Sequence, residues 1–316
     1  MDINSWKETW GTIDWGNDSE DIIKQKITDL YNAGVDFNMG GEYKKESGSP
    51  LDFAARFSTP DVIKLLIDGG ADLGLTSRNY DHYTALHWAA QEGKVENVKC
   101  LIDCGPKNLM NKESRYRDVA LGVAASYGQP KVLKALIEYG ADVNRKNDDG
   151  TTVLFNAASS GNAEAVNVLI EAGADVNVQA NDGDTPLHVA AHFGRAEAVK
   201  ILIDHGAAVN VKNKHNKIPL HEAVFTGSAK AVIALIERGA DAALLLREGS
   251  EVLEASYVWK VGPLLRGWKL IRGSYLKMHP KASLQKTLNA ASEEGKKESL
   301  LKRGKNAITS IFKKER

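Results

Sequence analysis

The 316-residue chain is poor in cysteine, with only Cys100 and Cys104, four residues apart. Such low usage is typical of proteins in reducing compartments and excludes a disulfide-stapled secreted domain. No apolar run approaches the roughly 18 residues that a membrane-spanning helix needs. The start, Met1-Asp2-Ile3-Asn4, has neither the basic nor the apolar region of a secretory signal peptide. We therefore expect a cytoplasmic protein.

Motifs of the common enzyme classes are missing as well. There is no phosphate-binding GxxxxGKS/T loop, no GxSxG nucleophile elbow, no HExxH zinc motif and no protein-kinase signature. Two cysteines without a neighbouring histidine make a poor metal site. We expect no enzymatic activity, no cofactor and no bound metal.

What the chain does contain is a pattern repeated six times across residues 49–241. Its central leucines are 35, 35, 33, 33 and 33 residues apart, and they are Leu51, Leu86, Leu121, Leu154, Leu187 and Leu220. The closing glycines keep the same spacing, at Gly70, Gly105, Gly140, Gly173, Gly206 and Gly239. A fixed period near 33 residues predicts a stack of like units, each too small to bury its own apolar face.

Each copy predicts two helices joined by a turn. In the fifth copy, the Thr185 hydroxyl is expected to cap the first helix, and Pro186 suits its first position because no N–H is needed there. Leu187 begins an apolar stripe with i, i+3 and i+4 spacing. Gly194 and Gly206 then end the two helices, since glycine readily adopts the left-handed conformation after a helix.

The pattern is clearest in the fifth copy, as Thr185-Pro186-Leu187-His188-Val189-Ala190-Ala191, and it resembles the ankyrin repeat. The six copies cover about three fifths of the chain. The resemblance implies an all-α solenoid and a non-enzymatic scaffold or adaptor that binds a protein. It also implies that His87, His188 and His221 form hydrogen bonds between adjacent repeats.

The regions flanking the six repeats differ from them and from each other. Residues 1–48 read as a degenerate N-terminal capping repeat with a helix near Asp21–Leu30, followed by a long hairpin. Upstream lie Trp6, Trp10 and Trp15, and the spacing of Trp6 and Trp10 places both on one face of a helix. We expect these tryptophans to shield the first repeat, and an aromatic ligand-binding patch is the alternative. Residues 242–280 read as a C-terminal cap, and residues 281–316 as a basic tail that is helical or partly disordered. Residues 1–241 hold 25 basic and 34 acidic side chains, whereas residues 242–316 hold 16 and 7, so charges of −9 and +9 cancel in the whole chain.

A partner protein is expected to contact the ends of the first helices and the hairpin tips of the N-terminal repeats, where aromatic side chains and arginines cluster as in interface hot spots. The candidate contact residues are Arg56, Phe57, Arg78, Tyr80, His82, Tyr83, Gln91, Glu92, Arg115, Tyr116, Arg117, Tyr127, His192, Phe193 and Phe225. Packing of Tyr83 and Tyr116 against neighbouring hairpins is the alternative.

Other functions stay open. Residues 281–316 could bind a membrane surface, because basic amphipathic segments bind anionic lipid. Nucleic acid is a poorer candidate, since the acidic repeats would repel phosphates. An ankyrin stack with a short charged C-terminus also resembles bacterial effectors secreted into the host cytoplasm, and residues 292–299 are similar to their glutamate-bearing translocation signals. We expect a monomer, although Phe193 and Phe225 could support self-association.

Overall fold

The computed structural model describes residues 9–43, 46–77, 82–106, 108–111 and 119–241, without the side chains of 42–47. Within these residues the six copies form two rows of helices. The first helices are α2 (Pro50–Phe57), α4 (Ala85–Gln91), α6 (Ala120–Ser126), α8 (Val153–Ser160), α10 (Pro186–His192) and α12 (Pro219–Phe225). The second helices are α3 (Pro60–Asp68), α5 (Val95–Cys104), α7 (Pro130–Glu138), α9 (Ala163–Glu171), α11 (Ala196–Asp204) and α13 (Ala229–Glu237).

The two rows pack as layers. Each first helix contacts the second helix of its own copy and the first helices of its neighbours, and the second helices likewise contact one another. The predicted stripes form the core between them, with Leu187, Ala190 and Ala191 all fully buried. Burial of a leucine side chain stabilises the fold by about 1.5–3 kcal/mol. The small alanines let adjacent helices approach closely.

A helix preceding the first copy extends the second row. This helix, α1 (Glu20–Asn32), packs on α3. Ser19 is its N-cap, and the Ser19 side chain accepts a hydrogen bond from the Ile22 amide. Its bounds confirm the helix predicted near Asp21–Leu30. The degenerate copy therefore supplies an outer helix that covers the first full copy.

Trp10 and Trp15 are fully buried at this end, as their predicted shielding role requires. The Trp10 indole donates to the Asp36 carbonyl at 3.1 Å, and Trp15 stacks on Phe53 with ring centroids 6.3 Å apart. Trp10 lies in a 3-10 helix, Trp10–Thr12, and not in the α-helix that its spacing from Trp6 suggested. Trp6 lies outside the described residues.

The first hairpin adds a small sheet that the all-α prediction did not include. Strand β1 (Gly41–Tyr43) pairs antiparallel with β2 (Glu46–Gly48), and Gly41 lies opposite Gly48. The hairpin is long enough for its two arms to pair through backbone hydrogen bonds. The remainder of the described fold is helical.

The N-terminal cap of α10 differs from the predicted one, because Thr185 pairs with the side chain of His188. The Thr185 hydroxyl lies 2.9 Å from Nδ1 of His188, and the Thr185 amide donates to the same Nδ1 at 3.2 Å. Nε2 of His188 donates to the Lys217 carbonyl at 3.0 Å, which makes Nδ1 the acceptor. His188 thus takes the reciprocal place of a capping-box glutamate and ties the fifth copy to the sixth, as the inter-repeat role predicted.

Asparagines connect the hairpins of successive copies. The Asn177 side chain donates to the Gly206 carbonyl at 3.0 Å and accepts from the Ala208 amide at 2.8 Å. Asn38 and Asn144 make the same two contacts to the following copy. The equivalent positions that close the first and second copies hold Gly74 and Leu109. Neither position therefore has an asparagine side chain to make this connection.

No helix in the described part of the chain is long and apolar enough to cross a bilayer. The described residues as far as Ala240 belong to one compact unit. The predicted C-terminal cap and basic tail, residues 242–280 and 281–316, lie outside the described residues. The division at residue 281 and the role of the tail remain predictions.

Candidate functional site

Exposed aromatic side chains end four of the six first helices or follow them directly. Phe57 is 36% exposed, Phe225 43%, and Tyr127 and Phe193 each 54%. Phe57, Tyr127 and Phe193 occupy the last position before the inter-helix turn, and Phe225 occupies the position before that. Large apolar side chains with this much water contact are typical of binding surfaces when they recur on one face. We name these four residues the aromatic row.

Arg56, predicted as an exposed contact residue, is buried instead. Its guanidinium lies 3.0 Å from a Glu92 carboxylate oxygen, 4.4 Å from the Trp88 ring centroid and 4.9 Å from that of Phe57. The ion pair and both rings come from the same or the next copy, so they already satisfy the cation. Arg56 positions Glu92 and Phe57 and is not itself available to a partner.

Tyr83 is also buried, contrary to its predicted contact role. Its ring lies 5.2 Å from His87 in a stacked arrangement and 5.0 Å from Trp88 in an edge arrangement. Tyr83 therefore packs on the start of α4 in its own copy, whereas packing against a neighbouring hairpin stays a prediction. His82, just before it, is exposed with a φ of 49°.

The remaining hairpin candidates, Arg78, Tyr80, Arg115, Tyr116 and Arg117, lie outside the described residues. Gln91 is half-buried, and its carbonyl accepts a hydrogen bond from the Gln129 side chain at 2.8 Å. The Gln91 side-chain amide nitrogen donates to a Glu92 carboxylate oxygen at 3.4 Å. These contacts place Gln91 and Glu92 on the same surface as Phe57.

A second cluster forms where the fifth and sixth copies meet. Nδ1 of His192 lies 3.0 Å from one Glu222 carboxylate oxygen, and Nζ of Lys217 lies 3.6 Å from the other. Lys217 also lies 5.5 Å from the centroid of the Phe225 ring, while His192 meets Phe193 edge-on at 5.2 Å. One carboxylate therefore holds two cationic or protonatable side chains beside two exposed aromatic rings.

Sequence reasoning identified three members of that cluster and missed Glu222 and Lys217. The repeat register contains the signal. The second residue before each turn contacts the residue that follows the motif-histidine position in the next copy, as in Arg56 with Trp88, Ser126 with Asn156 at 2.9 Å, and His192 with Glu222. Aligning the copies on this rule would have placed Glu222 beside His192.

Asp52 is the most perturbed carboxyl group of the described chain. It occupies the motif-histidine position of the first copy, and burial raises its pKa to about 7 against the opposing effect of hydrogen bonds from Ser49. One oxygen accepts from the Ser49 amide at 2.8 Å, while the other has no hydrogen-bond partner among the described residues. Asp52 is fully enclosed, so it caps α2 and offers no open site for a substrate.

The Cys100 thiol is not an activated nucleophile either. Burial, followed by the proximity of Cys104, raises the pKa of Cys100 to about 11. A thiol with so high a pKa is almost entirely protonated near neutral pH and reacts slowly. Across the described residues, no group of three or more metal-ligating side chains comes together.

Comparison with known proteins decides the family. A model of ankyrin repeats in three copies matches residues 18–113, 51–147, 106–180 and 154–244, which together cover most of the chain. The chain belongs to the ankyrin-repeat family. The ankyrin repeat domain of Bcl-3, a member of the IkappaB protein family, superposes with a TM-score of 0.53 over 65% of this chain and 93% of that domain, at 24% identity. This similarity to the Bcl-3 domain shows a shared fold and nothing further.

Curated relatives of this ankyrin-repeat protein have diverse names. It is 30% identical over 130 residues to an NAD-dependent deacetylase, sir2B, of Dictyostelium discoideum, covering 40% of this chain and 17% of that protein. It is 30% identical over 112 residues to alpha-latroinsectotoxin-Lt1a of Latrodectus tredecimguttatus, covering 35% and 8%. It is 31% identical over 93 residues to human diacylglycerol kinase iota, covering 29% and 9%. The chain thus spans less than a fifth of each relative.

Proposed function

We propose that this ankyrin-repeat protein is a non-enzymatic scaffold that binds a partner protein through the ends of its first helices and its hairpin tips. Ankyrin repeats are in general protein-interaction modules, which supports the class of function. The carrying observation is the aromatic row, since Phe57, Tyr127, Phe193 and Phe225 recur within the last two positions before the inter-helix turn and all remain exposed. Aromatic side chains dominate the energetics of protein interfaces.

The principal contact is proposed to lie over the N-terminal repeats. Phe57 and Tyr127 are its described anchors, with Gln91 and Glu92 between them and His82 nearby. Adjacent first helices pack directly, and packed helix axes are about 8–10 Å apart, so two repeats separate the anchors by roughly 20 Å. An ordinary interface buries about 800 Å² on each partner, which a surface of this length can supply.

Affinity purification from cell lysate, with mass spectrometry of the bound proteins, tests the proposal. The full chain would be compared with a Phe57→Ser/Tyr127→Ser variant. A matched control, Ile22→Ser, removes a side chain that is 47% exposed on α1, away from the row. Tyr83 and Arg56 are left unchanged because their burial makes any loss of binding ambiguous.

We expect at least one partner to be retained by the wild-type and control chains and lost from the double variant. Each hot-spot truncation costs about 2 kcal/mol or more, so the combined loss would exceed a hundredfold in affinity. Equal recovery of every protein by all three chains would remove the row from the binding surface.

A further inference from the structure

The hairpin before the sixth copy carries an unusual charge for this part of the molecule. Residues 211–217 include Lys212, Lys214, His215 and Lys217 and no acidic residue, whereas residues 1–241 as a whole carry a net charge of −9. The two preceding hairpins have acidic tips, with Asp148 and Asp149 in one and Asp182 and Asp184 in the other. We name residues 211–217 the basic hairpin.

The basic hairpin is held in one conformation by hydrogen bonds. The Asn213 side-chain oxygen accepts from the amides of His215 and Lys217, each at 2.9 Å, and its nitrogen donates to Asp184 at 2.7 Å. The Lys214 amide donates to the Asp182 carbonyl of the previous hairpin at 2.9 Å. Lys214 and His215 are exposed at the tip of this fixed turn. Because the backbone of this turn is already fixed, little backbone entropy is lost when its side chains bind an anion.

Lys217 places the basic hairpin on the same surface as the C-terminal part of the aromatic row. Its ammonium lies 5.5 Å from the Phe225 ring centroid and 3.6 Å from Glu222, the carboxylate that also holds His192. Phe193 and Phe225 come from α10 and α12, which pack directly against each other. The exposed Phe225 ring therefore lies beside Lys217, and the exposed Phe193 is on the adjacent helix.

We propose that the fifth and sixth copies bind an acidic peptide segment of a partner protein, with an apolar side chain on Phe193 and Phe225 and carboxylates on Lys214, His215 and Lys217. This inference rests on the proposed scaffold function and adds a second contact surface with a defined partner chemistry. Charge complementarity carries it, because the basic hairpin adjoins an exposed aromatic ring.

A nucleic acid strand would also combine negative charge with groups that stack on aromatic rings. The surroundings favour the peptide. Glu222 lies within the cluster, and the acidic repeats would repel a long phosphate chain on either side. A short peptide can confine its carboxylates to the basic hairpin and present an apolar side chain to the rings.

Selection from a displayed library of random peptides on the full chain at low salt tests the inference. The best peptide would be synthesised with a fluorescent label, and its affinity measured by anisotropy. The variants are Phe193→Ser/Phe225→Ser and Lys214→Glu. The matched controls are Ile22→Ser, an exposed apolar side chain on α1 outside the row, and Lys146→Glu, an exposed lysine before the fourth copy. Tyr127→Ser is measured beside them to separate this surface from the principal contact.

We expect enriched peptides to be acidic with an aromatic or branched apolar residue. Affinity should fall more than about tenfold in the double phenylalanine variant and severalfold in Lys214→Glu, with weaker binding at high salt. Both controls should bind as the wild type does. Enrichment of neutral or basic peptides, or no enrichment, would overturn the proposal.

Two further outcomes would overturn it in favour of another occupant. The first is a mixed-sequence single-stranded oligonucleotide that binds more tightly than the peptide and depends on the same residues. The second is concentration-dependent dimerisation of the full chain that Phe193→Ser/Phe225→Ser abolishes. If peptide binding depends on Tyr127 and not on Phe193 and Phe225, the scaffold function stands and this site fails. If neither partner proteins nor peptides depend on any member of the row, both fail.

Discussion

Replacing Asp52 by asparagine should stabilise the first copy, increasingly so as pH rises. The folded state keeps the Asp52 proton up to a pKa of about 7, whereas the unfolded chain loses it near 3.8. Between these values the folded state binds more protons than the unfolded state, so wild-type stability falls as pH rises and levels off above pH 7. Asparagine does not titrate, and its carbonyl can still accept from the Ser49 amide.

The magnitude follows from the shift of about three pKa units. One unit corresponds to about 1.4 kcal/mol, so the buried carboxyl costs at most about 4 kcal/mol above pH 7. Roughly 2 kcal/mol of that cost develops between pH 5 and pH 7, because the folded group starts to ionise only near the upper end. The equilibrium constant for local opening of α2 in the wild type, divided by that in Asp52→Asn, should therefore rise about thirtyfold from pH 5 to pH 7.

Amide hydrogen exchange of α2, compared between wild type and Asp52→Asn at each pH, measures this ratio without interference from the intrinsic pH dependence of exchange. The control is Asp204→Asn, which removes an exposed carboxylate whose pKa is lowered by its hydrogen bond to Arg238. This control should leave exchange of α2 unchanged. A wild-type to variant ratio that is constant from pH 5 to pH 7 would refute the buried, protonated carboxyl.

Two predictions concern the connections between copies. Asn177→Ala removes two hydrogen bonds to the following copy and should lower the free energy of unfolding by about 1–2 kcal/mol in urea titrations, whereas an unchanged midpoint would show that water replaces both bonds. Gly194→Ala should destabilise the chain more than Gly206→Ala does, in thermal unfolding followed by circular dichroism. Both glycines have positive φ, of 68° and 91°, but a Cβ at Gly194 would collide with Ser228, whereas at Gly206 nothing lies within 4 Å. Equal losses would mean that the backbone conformation alone determines the cost.

The helices could be predicted because their signals are local and periodic. Leu187 with its alanines, the Pro186 start and the Gly194 turn each act within one copy, and the register repeats six times. The paired strands of the first hairpin were missed, because β1 and β2 depend on pairing within a segment without the repeat pattern.

The candidate site was harder to predict because its contacts join different copies. Phe57, Tyr127, Phe193 and Phe225 are exposed as expected. Arg56 is buried because Trp88 and Glu92, more than thirty residues later in the chain, close over it. The effector origin, the membrane-binding tail and the cytoplasmic location stay predictions.

The asparagine connections have a consequence for which parts of the chain are free to vary. The segment from a closing glycine to its asparagine, such as Gly173 to Asn177, must keep its length, because a residue added there would move the asparagine amide away from the next copy. Beyond the asparagine the length varies even in a connected copy, since the stretch from Asn38 to Leu51 is longer than that from Asn177 to Leu187. New residues can therefore be inserted beyond this position without unstacking the helices, so the hairpin tips are where such a protein can acquire a new specificity at the smallest cost in stability.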